Sequence, residues 1–201
     1  MCKAPLPGKV KTRLAVEYGE AGAAAMHQKM AEIVIRRAMD MFPSVWLAAD
    51  DLSHPFFAQF PCRVVAQGEG DLGTRMCRLM HQGFDEGADA VLFLGTDSPH
   101  MPGLRLLEAQ DALREYDVVI GPVEDGGYDL IGMIAPCDRL FYEIPWSSSH
   151  VFTSTLSRVA ENELSVECLE VGFDIDTPED FRRAFPEGMP VHLTAESEGS
   201  K

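Results

Sequence analysis

Five short segments of this 201-residue chain combine residue types and spacings suited to phosphates and cations. The first is the start, where Lys3, Lys9, Lys11 and Arg13 surround Pro5, Pro7 and Gly8 with no carboxylate among them. The chain has 17 Lys and Arg against 32 Asp and Glu, so four cations in so short a stretch form a local positive patch. A loop of this kind can close around a diphosphate or triphosphate, with backbone N–H groups near Gly8 and the charges of Lys9, Lys11 and Arg13 neutralising it. It fits no Walker-A pattern, and a solvated basic terminus is the plain alternative. The second is Gly95-Thr96-Asp97-Ser98-Pro99. An Asp just past an apolar strand is poised for a hard cation that takes one or two protein carboxylates and completes its shell with phosphate and water. A strand-ending Asp that caps the next helix is the alternative.

The third segment runs from Gly121 to Tyr128. Its Gly126-Gly127 pair suggests positive φ or close approach by a ligand, and Asp125 could orient or deprotonate an acceptor hydroxyl. An ordinary hairpin turn accounts for it equally well. The fourth, Asp174-Ile175-Asp176-Thr177-Pro178, puts two carboxylates on one side of an extended segment, although a helix N-terminus attracts acids for its own reasons. The fifth is a glycine loop, Gln67 through Gly70, Asp71, Gly73 and Arg75. Its backbone could pack against a flat base, with Gln67 bonding the base edge. His150 is a weaker candidate, read first as an ordinary histidine.

These segments need elements to hold them. Apolar spacing predicts helices over about 17–41, 72–86, 102–114, 147–162 and 178–184, the fourth with serines as its N-cap. Strands are expected at 44–49, 63–67, 90–95, 117–121, 128–134 and 166–171, with the uninterrupted apolar run at 90–95 as a buried one. A brief helix or loop is expected at 52–60. Strands alternating with helices give an α/β class, and in such open sheets ligands bind beyond the strands' carboxyl ends. The length suits one domain, taken as residues 1–193, with a polar disordered tail over 194–201.

Composition narrows the classes. A formal charge of −15 argues against nucleic acid as a partner. No apolar run approaches the roughly 20 residues of a membrane span, and no signal peptide is seen. Five widely spaced cysteines without a C-x-x-C pair suggest neither a disulfide framework nor a zinc site, so a reducing cytoplasm is expected.

Taken in order, the segments resemble the GT-A nucleotide-diphospho-sugar transferase superfamily, and more closely its DUF2064, or arsenosugar-biosynthesis-type glycosyltransferase, branch. Lys3-Ala4-Pro5, Pro7-Gly8-Lys9-Val10-Lys11-Thr12-Arg13, Gln67 with Gly70-Asp71-Leu72-Gly73 and Arg75, Gly95–Pro99, Gly121-Pro122 with Asp125–Tyr128, Trp146-Ser147 and Asp174–Pro178 carry the likeness. It implies a three-layer α/β/α sandwich around a mostly parallel, Rossmann-like sheet that binds a nucleotide or nucleotide sugar with Mg²⁺ or Mn²⁺. It puts Asp97 and Asp176 at metal positions, the basic loop and the Gln67–Arg75 loop at the nucleotide, and Gly126, Gly127, Tyr128 and Trp146 near an acceptor. It also implies an apolar strand before the basic loop, in mid-sheet. Only Met1 and Cys2 stand there, so that strand is expected to be truncated.

The expected activity is metal-dependent glycosyl transfer from a nucleotide-diphosphate sugar to a small acceptor. Lys11 and Arg13 would stabilise the departing diphosphate, and Asp125 would activate or position the acceptor. Nucleotidyl transfer with release of pyrophosphate, and a non-catalytic nucleotide-binding role, remain open alternatives.

Overall fold

The computed structural model describes residues 1–189. The helices are α1 (Ala15–Met41), α2 (Leu72–Asp85), α3 (Gly103–Ala112), α4 (Val151–Glu161) and α5 (Pro178–Ala184). The strands are β1 (Trp46–Ala49), β2 (Arg63–Ala66), β3 (Val91–Leu94), β4 (Val118–Pro122), β5 (Tyr128–Met133) and β6 (Val166–Cys168). Short 3-10 turns cover Pro55–Gln59 and Asp138–Phe141. The expected tail over 194–201 lies outside the described residues.

The strands form a parallel pair, β1–β2, and a four-stranded sheet in the order β3-β5-β4-β6. Within the larger sheet β4 and β6 are parallel, whereas β5 is antiparallel to both β3 and β4. Chain length explains the inversion. Only residues 123–127 join β4 to β5, and a parallel return needs a crossover of a dozen or more residues. The other strands follow the α/β pattern and share one direction within this sheet.

Alternate residues of the central strands face opposite helical layers. Val118, Ile120, Ile131 and Met133 pack with Met76 and Met80 of α2 and Val159 of α4. Val119 and Leu130 turn the other way, onto Leu106 and Ala109 of α3. This is the three-layer sandwich, a consequence of the two-residue period of a strand. Helix α1 completes the α3 side. Its later turns bury Ala31 and Ile35 against Leu47 and Ala49 of β1. Its earlier turns bury Ala23 and Met30 against Leu14 and Ile175. A break at Gly19, with φ 72° and ψ 163°, interrupts α1 near its start.

Residues 1 and 2 lie between the two sheets. Cys2 N–H donates to Ala48 O at 2.9 Å and Asp50 N–H to Cys2 O at 3.3 Å, while the Met1 amine donates to Leu94 O at 3.0 Å. The rest of that space is a cleft of about 830 Å³ lined by Val34, Ile35, Leu47, Val65, Leu92 and Phe93, among others. The expectation of a buried strand at 90–95 therefore needs correction. All four residues of β3 are only half-buried, because β3 borders this cleft, and the fully buried strand is β4. Helix α4 also starts later than expected. Ser148 accepts from His150 N–H and donates to Pro145 O, holding a turn rather than capping the helix, and His150 stands exposed at the N-cap.

Candidate active site

Three loops at the carboxyl ends of parallel strands are laced together by backbone bonds. Ile175 N–H donates to Asp97 O at 3.0 Å, Gly172 N–H to Pro122 O at 2.8 Å, and Glu124 N–H to Gly172 O at 3.0 Å. The lacing sets the β3 loop with Asp97, the β4 loop with Asp125 and the segment after β6 with Asp174 and Asp176 side by side. Helix α5 fixes the end of that segment. Thr177 and Asp180 form a capping box, with Pro178 in the first turn, and Asp180 Oδ2 also accepts from Asp176 N–H at 3.2 Å.

Lys11 enters this acidic corner from the basic loop. Its side chain is 5% exposed, and its Nζ donates to Asp176 Oδ1 at 2.8 Å. The same ammonium lies 2.9 Å from Asp97 Oδ1, an ion-pair contact outside hydrogen-bonding alignment. Lys11 itself has φ 47°, left-handed backbone that a non-glycine residue rarely adopts. Strain of that kind collects at functional sites. Arg13 stands more openly, with a guanidinium nitrogen 3.7 Å from Asp176 Oδ2. Lys3, Pro7, Gly8 and Lys9 are all exposed, and Gly8 turns with φ 73° beside the Glu20 carboxylate.

Two further groups belong to the corner. Asp174 accepts from the Ser98 hydroxyl at 2.6 Å. Burial, reinforced by the nearby carboxylates of Asp97 and Asp125 and opposed by the Ser98 bond, pushes its carboxyl up to about 7. His27, on the inward face of α1, is 4% exposed. Its Nε2 lies 3.0 Å from Lys3 O and its Nδ1 lies 3.9 Å from Asp97 Oδ1. Burial lowers its pKa. The sequence alone did not single out this residue.

The glycine loop after β2 is arranged otherwise than expected. Gln67 is buried, and its amide nitrogen donates to Cys2 O and Ala48 O at 3.0 Å each. Its carbonyl accepts from Arg75 Nη1 at 3.2 Å, so its polar atoms knit β1, β2 and the N-terminus instead of meeting a base. Asp71 caps α2 by accepting from the Thr74 amide and hydroxyl, which lower its pKa. Gly73 makes room for Trp146, whose Nε1 lies 2.9 Å from where a Cβ would stand. Arg75 Nε donates to Gly70 O at 2.9 Å.

Around the β4–β5 turn, Asp125 is exposed and its Oδ1 accepts from Gly127 N–H at 2.8 Å. Gly126 has φ 88°, and a Cβ there would fall 2.1 Å from Ser149 O. The two glycines therefore serve a tight turn that docks on the start of α4. Tyr128 and Trp146 meet edge to face at 6.4 Å. The Tyr128 hydroxyl and Trp146 Nε1 are both buried without a hydrogen-bond partner.

Among the described residues, no three His, Cys, Asp or Glu side chains are grouped closely enough to hold a metal ion by themselves. The corner nevertheless suits a cation. It already holds one, the Lys11 ammonium, between two carboxylates, and Asp97 Oδ1 is buried without a hydrogen bond. An ion with phosphate and water ligands needs only one or two such carboxylates. No described helix is long and apolar enough to cross a membrane.

The chain is similar to a candidate nucleotide-diphospho-sugar transferase from Desulfovibrio desulfuricans G20. They share 29% identity and a TM-score of 0.84, over 96% of this chain and 90% of that one. Two solved structures share the fold at lower identity. One is CMP:2-keto-3-deoxy-manno-octonic acid synthetase complexed with CTP, with TM-score 0.57, 14% identity, and 77% of this chain and 85% of that one covered. The other is 4-diphosphocytidyl-2C-methyl-D-erythritol synthase from Anaerococcus prevotii DSM 20548, with TM-score 0.53, 15% identity, and 77% and 83% covered. No curated protein matches the sequence. The profile of the family described as "Uncharacterized protein conserved in bacteria (DUF2064)" matches residues 32–148. The Lys11 corner thus sits in a nucleotide-diphospho-sugar transferase-like sandwich, and the chain belongs to the DUF2064 family.

Proposed function

We propose that this protein is a metal-dependent transferase that takes a nucleotide-diphosphate sugar as glycosyl donor and passes the sugar to a small acceptor. The observation that carries this is the Lys11 ammonium held between Asp97 and Asp176 at the strand ends, with Arg13 beside it. The likeness to the Desulfovibrio protein supports it.

Asp97 and Asp176 are the residues that would hold Mg²⁺ or Mn²⁺. Bound there, the ion would polarise the diphosphate oxygens and neutralise charge on the leaving group. Lys11, released from the two carboxylates, is long enough to turn to the same phosphate oxygens, and Arg13 offers a second cation. The exposed turn at Pro7 and Gly8, together with Lys3 and Lys9, brackets the rest of the nucleotide. Asp125 keeps Oδ2 free to accept a proton from an acceptor hydroxyl, since its Oδ1 holds the turn. The unpartnered Tyr128 hydroxyl and Trp146 N–H are donors suited to a ligand oxygen.

The test is incubation with UDP-, GDP- and dTDP-sugars, and separately with free nucleoside triphosphates, with Mn²⁺ and a panel of small acceptors. Release of nucleoside diphosphate from a sugar nucleotide supports the proposal. Pyrophosphate released from a triphosphate overturns it in favour of nucleotidyl transfer, which the same carboxylates and cations would serve. If Asp97→Ala leaves both nucleotide affinity and its metal dependence unchanged, a binding role without catalysis replaces both.

A further inference from the structure

His27 is the one buried polar side chain on the α1 stripe formed by Ala23, Ala24, Met30, Ala31 and Val34. Its hydrogen bonding fixes its tautomer. The Lys3 carbonyl, 3.0 Å from Nε2, can only accept, so Nε2 carries the proton. A neutral imidazole has one N–H, which leaves Nδ1 as a bare acceptor. That acceptor is buried, has no hydrogen-bond partner, and faces Asp97 Oδ1 at 3.9 Å. Asp97 Oδ1 is itself an acceptor, buried and likewise without a hydrogen bond. Asp97 Oδ1 already has the Lys11 ammonium at 2.9 Å, so the lone pair left without a donor is that of Nδ1, and leaving it unmet is costly.

The chemistry of the corner narrows that donor. A phosphate oxygen would be repelled by the Nδ1 lone pair, so the ring is no phosphate contact. Hard cations held by one or two carboxylates keep several of their waters, and such waters are strong donors. A neutral acceptor also adds no negative charge to a corner that already gathers Asp97, Asp174 and Asp176.

We infer that His27 is a positioning residue of the cation site, its Nδ1 accepting a hydrogen bond from a water bound to the ion on Asp97. The inference rests on the reading of Asp97 and Asp176 as cation carboxylates and adds to it. Because Nε2 holds Lys3 O, the same ring ties the start of the basic loop to the ion's water shell. Loop position and ion binding are thereby coupled through one side chain.

Two substitutions separate this role from simple core packing. His27→Asn keeps an acceptor near the place of Nδ1 and gives up the bond to Lys3. His27→Gln keeps a donor for the Lys3 carbonyl and removes the acceptor. Mn²⁺ affinity of each folded variant is read by electron paramagnetic resonance, with thermal melting alongside. Loss of a group that orients a metal's shell costs about 10- to 100-fold in affinity. The expected result is a loss of that size for Gln and a much smaller one for Asn. A packing role gives the reverse order, and that order, or no change in Gln, overturns the inference. Should neither variant fold, ¹⁵N spectra of the unsubstituted protein decide. The bare Nδ1 resonance should move on adding Mg²⁺ while Nε2–H stays, and a static Nδ1 resonance in a protein that binds the ion overturns the inference. Failure of the unsubstituted protein to bind Mn²⁺, with or without nucleotide, overturns the cation-site reading as well. Equal binding by His27→Gln removes only the role of His27.

Discussion

Lys11 joins left-handed backbone, a nearly buried side chain and two carboxylate partners in one residue. An internal ammonium in that position competes with any ion for the same oxygens, so the two should exclude one another. Lys11→Met is therefore expected to melt at lower temperature than the parent without metal, because Asp97 and Asp176 then face each other unneutralised. It should also gain more thermal stability from Mn²⁺ than the parent does. Equal gains in the two proteins would show that Lys11 does not occupy the ion's position. Asp174 supplies a pH signature in the metal-free protein. Its carboxyl sits at about 7 when folded, against 3.8 as its ordinary value. The unfolded chain thus ionises first, and stability falls as pH rises from about 4 to 7, then levels off. Asp174→Asn still accepts from Ser98 and should flatten that fall, as melts across the pH range will show; an unchanged profile would refute the assignment. The charged members of this corner were legible from residue type and position after strands. His27 and Gln67 were not, because the partners of a buried polar side chain come from distant segments.

At the scale of elements, the short α5 aims Asp176 while Phe181 and Ala184, only partly buried, pack on the edge of the core. Its capping box pins the chain directly after the carboxylate, with Asp180 accepting from both the Asp176 and Thr177 amides. Thr177→Ala removes one side of the box and should cost about 1 kcal/mol of stability. A loosened Asp176 should also weaken Mn²⁺ binding beyond that small loss, which an ion titration alongside denaturant unfolding will reveal. If affinity is untouched while stability falls, α5 is only a cap. The Thr177-Pro178 start was readable in the sequence, as was the strand and helix alternation, whereas Asp71, read as part of a nucleotide loop, turned out to cap α2. The inversion of β5 was hidden. Periodicity assigns a strand but not its direction, and here the short 123–127 connection decides it. The later start of α4 was equally hidden, because the serines expected as caps hold the turn before it.

For the molecule as a whole, the decisive feature is the cleft between β1 and β3. Among the described residues Met1 and Cys2 bridge the two sheets there, and Trp46 and Leu47 on one side and Val91–Phe93 on the other line an apolar space of about 830 Å³. Strand edges bordering such a space invite pairing with another strand. The backbone of Cys2 already sets the direction, parallel to β1. A strand leading into Met1 along the same line would meet Leu47 and Val65 on one side and Leu92 on the other. Each buried Val- or Leu-sized side chain contributes about 1.5–3 kcal/mol, against roughly 1–2 kcal/mol per residue for ordering the backbone. The balance favours ordering when the added residues are apolar and opposes it when they are not. Four apolar, β-branched residues fused before Met1 should therefore raise the melting temperature and slow amide exchange in β1 and β3. A Gly-Ser extension of equal length should do neither. Because Cys2 O and Ala48 O also hold the Gln67 amide, and Lys3 follows directly, tightening this seam should steady the basic loop and sharpen nucleotide affinity together with stability. Equal melting of the two extended proteins would mean that the cleft does not accept a strand.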